Sequence, residues 1–171
     1  GVGTFVAEPK GQSALFEIRS IADEINARQH QHRCEVLTLE RTQANAQQAL
    51  VLNVKEGTPI FHSIMVHYEN DLPVQIEDRC VNAEIVPEYL AQDYSQTTPH
   101  AYLSLIAPLT EGEHIVEAVR ASAEECALLK IKEHDPCLLI RRKTWSASSI
   151  VSHARLLFPG SRYRLQGRFM S

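Results

Sequence analysis

The 171-residue sequence has no apolar run near the length of about 20 residues that crosses a bilayer, and no signal segment opens it. We therefore expect a cytoplasmic protein with no membrane partner. The sequence also lacks an excess of positive charge, since its formal net charge is -4. Without a broad basic surface to attract phosphates, we expect this chain not to bind nucleic acid by itself.

Closely spaced cysteines are also missing. Cys34, Cys80, Cys126 and Cys137 are far apart in the sequence, which indicates neither a zinc ribbon nor a disulfide framework. We expect reduced, mostly buried thiols. The stretch HQHRC at 30–34 offers only three potential ligands, and a closed zinc site needs a fourth, so we predict no metal site.

Enzyme motifs are not found either. The sequence contains no G-x-S-x-G elbow, no H-E-x-x-H pair and no glycine-rich phosphate loop. We identify no nucleophile, and we expect no catalytic residue and no cofactor.

The composition is that of one globular domain, with 44% hydrophobic and 22% charged residues. Apolar spacing predicts a helix over 15–30, with Ser13 as its N-cap, and a β-hairpin over 60–82 around Asn70-Asp71. The stretch 113–122 fits a strand or an amphipathic helix, and we favour a strand. Further helices are predicted over 44–52, 86–94, 100–109 and 123–131, and further strands over 33–43, 137–147, 149–158 and 162–169. The prediction is an α+β fold with a largely antiparallel sheet.

Glu77 and Arg79 form the first candidate site, because residues two apart on a strand point to the same face. They could form a pocket floor in which Arg79 binds an anion and Glu77 accepts a ligand hydrogen bond, with His67 from the neighbouring strand. The alternative is a polar face that only contacts water.

Two further stretches combine polar and aromatic side chains. Thr98, His100 and Tyr102 stand at a helix start, where they could bind an anion or only cap the helix. Trp145 follows a run of cationic residues and could stack on a planar ligand or only cover the core.

The opening GVGTFVA resembles the wing and last strand of the winged helix in GntR-type repressors. The stretches HYENDLPVQIEDR, TPHAYL and PGSRYRL are similar to the UTRA effector-binding domain of the HutC-type branch, which shares the chorismate-lyase fold. The resemblance spans roughly residues 15–168. It implies a wing and linker remnant at 1–8 and a UTRA domain at 9–171.

Within that branch, the stretches resemble the group that represses histidine-utilisation genes. The resemblance implies a homodimeric repressor whose effector is urocanate or a related imidazole carboxylate, and which contacts operator DNA only through an N-terminal winged helix. Three alternatives remain open: a small lyase of the chorismate-lyase type, a sensor of another small carboxylate or a sugar phosphate, and a pure dimerisation module.

The family pattern carries over to Glu77 and to Thr98-x-His100, whereas an Arg-x-Arg of sugar-phosphate sensors falls on Met65-x-His67. That departure removes two cations that a phosphate would need. For urocanate we assign the ring N–H to Glu77, the carboxylate to Arg79 with Thr98, and stacking to Tyr102 or Trp145. The full set of predicted ligand-binding residues is His67, Glu77, Arg79, Thr98, His100, Tyr102, Trp145 and Tyr163.

Overall fold

A computed structural model describes residues 10–171 of the protein. The predicted wing and linker remnant at 1–8 lies outside the described residues. Within 10–171 there are eight strands, namely β1 Gly11–Ala14, β2 His32–Gln43, β3 Pro59–Glu69, β4 Leu72–Asn82, β5 Glu111–Arg120, β6 Pro136–Ser146, β7 Ser149–Pro159 and β8 Tyr163–Gln166. The same residues form the helices α1 Ile21–Ala27, α2 Ala46–Leu52, α3 Pro99–Ile106 and α4 Ala123–Leu129, and a short 3-10 helix, Tyr89–Ala91.

Six of these strands form one antiparallel sheet in the order β2-β3-β4-β7-β6-β5. The β3–β4 hairpin closes through Asn70 and Asp71, whose φ angles of 48° and 64° are those of a two-residue type I′ turn. The predictions of an α+β fold, of this hairpin and of a strand at 113–122 are confirmed, and the helical alternative for 113–122 is wrong.

The sheet is covered on both faces. On one face Phe61, Met65 and Val81 pack against Tyr89 of the 3-10 helix and Leu103 of α3. On the other face, α2 and α4 cover buried residues, which include Ile60, Cys80, Val66, Ile76 and Leu157. Alternate residues along each central strand therefore belong to different layers, which decides which polar side chains can meet.

The prediction for the first helix is wrong at its start. Residues Gly11–Ala14 form β1, which pairs in parallel with β8 in a separate two-stranded sheet. Ser13 is therefore a strand residue and not an N-cap. The N-cap position of α1 belongs to Ser20, whose backbone is extended at φ -63° and ψ 133°. Residues 15–20 form bends and irregular backbone between β1 and α1, so the helix begins only at Ile21. The backbone of Leu15 is bonded to Gln166 and to the His114 ring instead of to a helical turn.

Two other predictions need correction. The last strand covers only Tyr163–Gln166 and leaves the main sheet to pair with β1. The stretch 86–94 is mostly turns around the 3-10 helix.

The four cysteines are unpaired and three of them are buried, as predicted. None of the helices in residues 10–171 has the length and apolarity needed to span a bilayer.

Candidate functional site

Strand β4 supplies the floor of the candidate site. Its alternation turns Gln75, Glu77 and Arg79 toward the face that α3 covers, while Ile76 and Cys80 pack on the opposite face. Glu77 is 3% exposed and Arg79 is 1% exposed. The polar face is therefore buried, and it is not the solvated face of the alternative interpretation.

The hairpin register brings His67 to Glu77. His67 lies opposite Gln75 and Met65 lies opposite Glu77, so the histidine reaches the carboxylate diagonally. The His67 Nε2 atom is 3.1 Å from Glu77 Oε1, and Arg79 Nε donates to Glu77 Oε2 at 2.9 Å. Both oxygens of the carboxylate thus have a partner.

The ion pair sets the protonation of these groups. Burial alone would raise the pKa of the Glu77 carboxyl, but the Arg79 charge and the His67 hydrogen bond lower it well below its usual range. The charge of Glu77 in turn raises the pKa of Arg79 against the effect of burial. Glu77 is therefore an acceptor, and His67 Nε2 donates to it.

Hydrogen bonds continue on both sides of this pair. His67 Nδ1 is 2.9 Å from His32 Nε2 on β2. In the other direction Arg79 Nη1 donates to Ser152 Oγ at 2.9 Å, and Ser152 Oγ is 3.0 Å from Thr144 Oγ1. One chain of polar contacts thus crosses five strands of the sheet, and it holds the Arg79 side chain in place.

A second buried arginine, Arg142 on β6, lines the same face and is 8% exposed. Its Nε donates to His114 Nε2 on β5 at 2.8 Å. Burial and the nearby charge of Arg79 lower the pKa of Arg142 to about 10, so the guanidinium stays charged at neutral pH.

The segment from β1 to α1 covers this floor. Ser13 of β1 donates its hydroxyl to Glu24 of α1, and burial raises the pKa of Glu24. Arg19, before α1, forms a 2.9 Å ion pair with Glu17 on the surface. This cover is therefore polar and reaches solvent at Arg19.

The start of α3 forms one wall. Thr98 is the N-cap, and its hydroxyl accepts from Ala101 N at 3.1 Å. The same hydroxyl is 2.8 Å from Ser20 Oγ, which ties α3 to the residue before α1. Burial and the charges of Arg79 and Arg142 lower the pKa of His100 to about 4, so its imidazole is neutral.

These groups enclose a space that we call the sheet pocket. Its volume is about 20 Å³, enough for a water molecule. It adjoins an open groove of about 400 Å³, with which it shares Ser13, Arg19 and Glu24. The lining residues of the sheet pocket are Ser13, Arg19, Ile21, Glu24, Gln75, Glu77, Arg79, Thr98, His100, Arg142, Leu156, Phe158 and Tyr163.

Five of the eight predicted residues line the sheet pocket, namely Glu77, Arg79, Thr98, His100 and Tyr163. His67 lies behind Glu77 and contacts it directly. Two residues do not reach the pocket. Tyr102 packs against the core cluster around Tyr89, and Trp145 lines a separate small cavity beyond Arg79 and His100. The aromatic wall is instead Tyr163, stacked on Phe158 with ring centroids 3.6 Å apart.

The sequence predictions missed three charged residues of the pocket, Arg19, Glu24 and Arg142. Arg142 was grouped with the cations around Trp145, although strand alternation would have placed it with Ile140 and Thr144 on the buried face. Glu24 lies within the predicted first helix, and no local signal indicates its contact with Ser13.

Among residues 10–171, no group of three or more histidine, cysteine, aspartate or glutamate side chains is arranged to hold a metal ion. The two imidazoles of the stretch 30–34 make other contacts. His30 Nδ1 is 2.9 Å from Glu69 Oε1, and His32 contacts His67.

Comparison with known proteins now identifies the chain. The family profile of the UTRA domain matches residues 27–164. The chain belongs to the UTRA family. Across its whole length this UTRA domain is 80% identical to the histidine utilization repressor of Klebsiella aerogenes, of which it covers 71%. It is 64% identical to the histidine utilization repressor of Pseudomonas aeruginosa, again over 100% of this chain and over 68% of the relative.

Solved structures agree with this assignment. The C-terminal domain of the histidine utilization repressor from Pseudomonas syringae pv. tomato is 57% identical, with a TM-score of 0.79 over 82% of this chain and 100% of that chain. PhnF from Mycobacterium smegmatis shares the fold at 20% identity, with a TM-score of 0.88 over 97% of this chain and 74% of that chain. Because the similar proteins are named repressors, the UTRA domain is part of a transcriptional regulator and not of an enzyme, as predicted.

Proposed function

We propose that this UTRA domain is the sensor of a repressor of histidine-utilisation genes, and that it binds urocanate or a related imidazole carboxylate in the sheet pocket. Binding releases the repressor from operator DNA, which it contacts through a winged-helix domain. The repressor is a homodimer in the cytoplasm. Relatives at 80% and 64% identity that are named histidine utilization repressors support the choice of target genes.

The charged residues of the sheet pocket are the observation that supports this class of ligand. Two buried arginines, Arg79 and Arg142, line it together with the ionised Glu77. A ligand that presents one carboxylate and one N–H matches this set, because the anion gains charged donors and the N–H gains a charged acceptor. Urocanate carries these two groups at opposite ends of a planar frame.

The walls suit a flat ligand. Tyr163 and Phe158 stack with an angle of 10° between their rings, and Leu156 and Ile21 complete an apolar surface beside them. We assign the ring N–H of urocanate to Glu77 and its flat face to Tyr163. Tyr163 thus replaces Tyr102 and Trp145, which the sequence had suggested as the stacking residues. Met65 and His67 in place of the Arg-x-Arg pair make a phosphate ligand a poorer fit.

Entry requires the sheet pocket to widen. Its volume of about 20 Å³ is far below that of an ordinary small-molecule pocket, while the adjoining groove offers about 400 Å³. The side chains of the surface pair Arg19–Glu17 are 64% and 59% exposed, and an exposed pair contributes at most about 1 kcal/mol. The Arg19 side chain can therefore swing out and join the two spaces.

Calorimetric titration tests the proposal. The parent should bind urocanate, and it should bind glucosamine 6-phosphate and histidine more weakly or not at all. Glu77→Gln should weaken urocanate binding by roughly ten- to a hundredfold, because a hydrogen bond to a charged group contributes about 1.5–3 kcal/mol. No urocanate binding by the parent, or unchanged affinity in a Glu77→Gln variant that is still folded at the temperature of the titration, contradicts the assignment.

A further inference from the structure

The two arginines of the sheet pocket differ in how their charges are balanced. Arg79 donates from Nε to the Glu77 carboxylate at 2.9 Å and from Nη1 to Ser152 at 2.9 Å. Arg142 donates from Nε to a neutral acceptor, His114. Among residues 10–171, no carboxylate oxygen lies within 4.0 Å of the Arg142 guanidinium. Arg79 is thus an internal ion-pair partner, whereas Arg142 has no carboxylate in direct contact and only the more distant charges of Glu24 and Glu77 oppose the effect of burial on it.

The end of the Arg142 side chain faces the pocket. In the described part of the chain its Nη1 and Nη2 atoms make no hydrogen bond to protein, and no fully enclosed side-chain nitrogen there lacks a partner. Both atoms therefore keep some accessible surface, and Arg142 lines the sheet pocket. Two parallel N–H groups at this position match the two oxygens of a carboxylate.

His114 fixes the direction of this side chain. Its Nδ1 is 3.0 Å from the Leu15 carbonyl oxygen, which can only accept, so Nδ1 carries the proton. Nε2 then holds a lone pair and accepts from Arg142 Nε at 2.8 Å. Burial and the Arg142 charge lower the pKa of His114, which favours the neutral ring that this arrangement needs.

From this geometry we infer that Arg142 is the anchor for the carboxylate of the ligand and that His114 is a positioning residue that aims it. The inference rests on the proposed function and reassigns the carboxylate from Arg79 with Thr98 to Arg142. The bound anion supplies the direct ion-pair partner that Arg142 lacks. The sheet pocket therefore selects a planar monocarboxylate over its neutral analogue, while Arg79 keeps Glu77 ionised and in place.

The difference in affinity between an acid and its amide tests whether Arg142 binds the carboxylate. Urocanate and its primary amide are titrated against the parent, Arg142→Met and the control Arg141→Met, which removes a half-exposed arginine from the next position of the same strand. The parent and the control should prefer the acid by about ten- to a hundredfold. Arg142→Met should bind both ligands weakly and within about threefold of each other. A retained preference for the acid in Arg142→Met overturns the inference.

Variants of His114 test the positioning role. Gln can donate to the Leu15 carbonyl and accept from Arg142, whereas Leu can do neither. His114→Leu should therefore lose most of the preference for the acid with little change in amide affinity, and His114→Gln should recover at least part of it. Equal loss of affinity for acid and amide in His114→Leu would indicate a structural effect alone and contradict the positioning role.

Melting of the protein without urocanate tests the role of Arg142 even if urocanate is not the ligand. Removing an unpaired buried charge should raise the melting temperature of Arg142→Met above that of Arg141→Met. Sodium acetate should stabilise the parent more than sodium chloride of equal ionic strength, and should not do so for Arg142→Met. If urocanate does not bind but this acetate effect is found, the proposed function fails and the anchor stands. If acetate gives no specific effect, or Arg142→Met melts below Arg141→Met, the anchor is wrong.

Discussion

At the scale of single residues, the floor of the sheet pocket depends on a buried ion pair whose partners have different tasks. Glu77 and Arg79 have side chains that are 4% and 2% exposed, and the buried Glu77 carboxylate depends on Arg79 to stay ionised. Removing one partner leaves an uncompensated buried charge, which is costly, whereas removing an exposed arginine is not.

The first prediction concerns this pair. Arg79→Met should lower the free energy of unfolding by about 3–5 kcal/mol, because Glu77 is left buried without its counter-ion. Arg141→Met should change it by at most about 1 kcal/mol, since the side chains of Arg141 and Glu117 are 45% and 46% exposed. Urea denaturation measures both values. Similar stability of the two variants would show that the pair is not a desolvated ion pair.

The second prediction concerns pH. His62 Nε2 is 2.8 Å from Asp78 Oδ1, and this hydrogen bond and the charges of Asp78 and Glu40 raise the pKa of His62 above its ordinary 6.5 despite partial burial. Because the folded pKa is the higher one, the stabilising contribution is complete below about pH 6.5 and is lost as the pH rises through the folded pKa.

An NMR titration of the His62 ring measures this shift directly. Asp78→Asn should lower the pKa of His62 toward 6.5 and should reduce the loss of stability between about pH 6 and pH 8. A pKa at or below 6.5 in the parent would contradict the hydrogen bond between His62 and Asp78.

At the scale of elements, the β3–β4 hairpin sets the register that brings His67 to Glu77. Its turn requires left-handed backbone at Asp71, where φ is 64°. Asp71→Val should lower the free energy of unfolding by about 1–2 kcal/mol relative to Asp71→Gly, because a β-branched side chain is strained in this conformation.

Both Asp71 variants lose the same exposed contact with Arg33, so that contact cancels in the comparison. Thermal or urea unfolding gives the difference between them. Equal stability of the Val and Gly variants would mean that the loop rearranges instead of holding the type I′ turn.

The hairpin also shows which features of the site can be predicted from the sequence. The Asn70-Asp71 turn and the shared face of Glu77 and Arg79 follow from local rules, because turn residues and strand alternation act over a few positions. The partners of Arg142 and Glu24 do not follow, since His114 is 28 residues away from Arg142 and Ser13 is 11 residues away from Glu24. The late start of α1 does not follow either, because the backbone of Leu15 is held by Gln166 and His114, which are far away in the sequence.

At the scale of the whole molecule, the proposed homodimer follows from the symmetry that a repressor shares with a two-fold operator. Sedimentation at roughly tens of micromolar, a range in which ordinary dimers persist, should give twice the mass of one chain. A single species of one chain's mass would place the dimer contact in the DNA-binding part of the repressor and would contradict the prediction for this domain.

The central claim is that the sheet pocket holds an imidazole carboxylate between Glu77 and Arg142. A crystal structure of the domain grown with urocanate tests it most directly. We expect urocanate inside the pocket, with its carboxylate about 2.7–2.9 Å from Arg142 Nη1 and Nη2, its ring N–H at Glu77 and its flat face on Tyr163. Urocanate bound outside the sheet pocket, or inside it with its carboxylate turned away from Arg142, would show that Arg142 does not bind the carboxylate there.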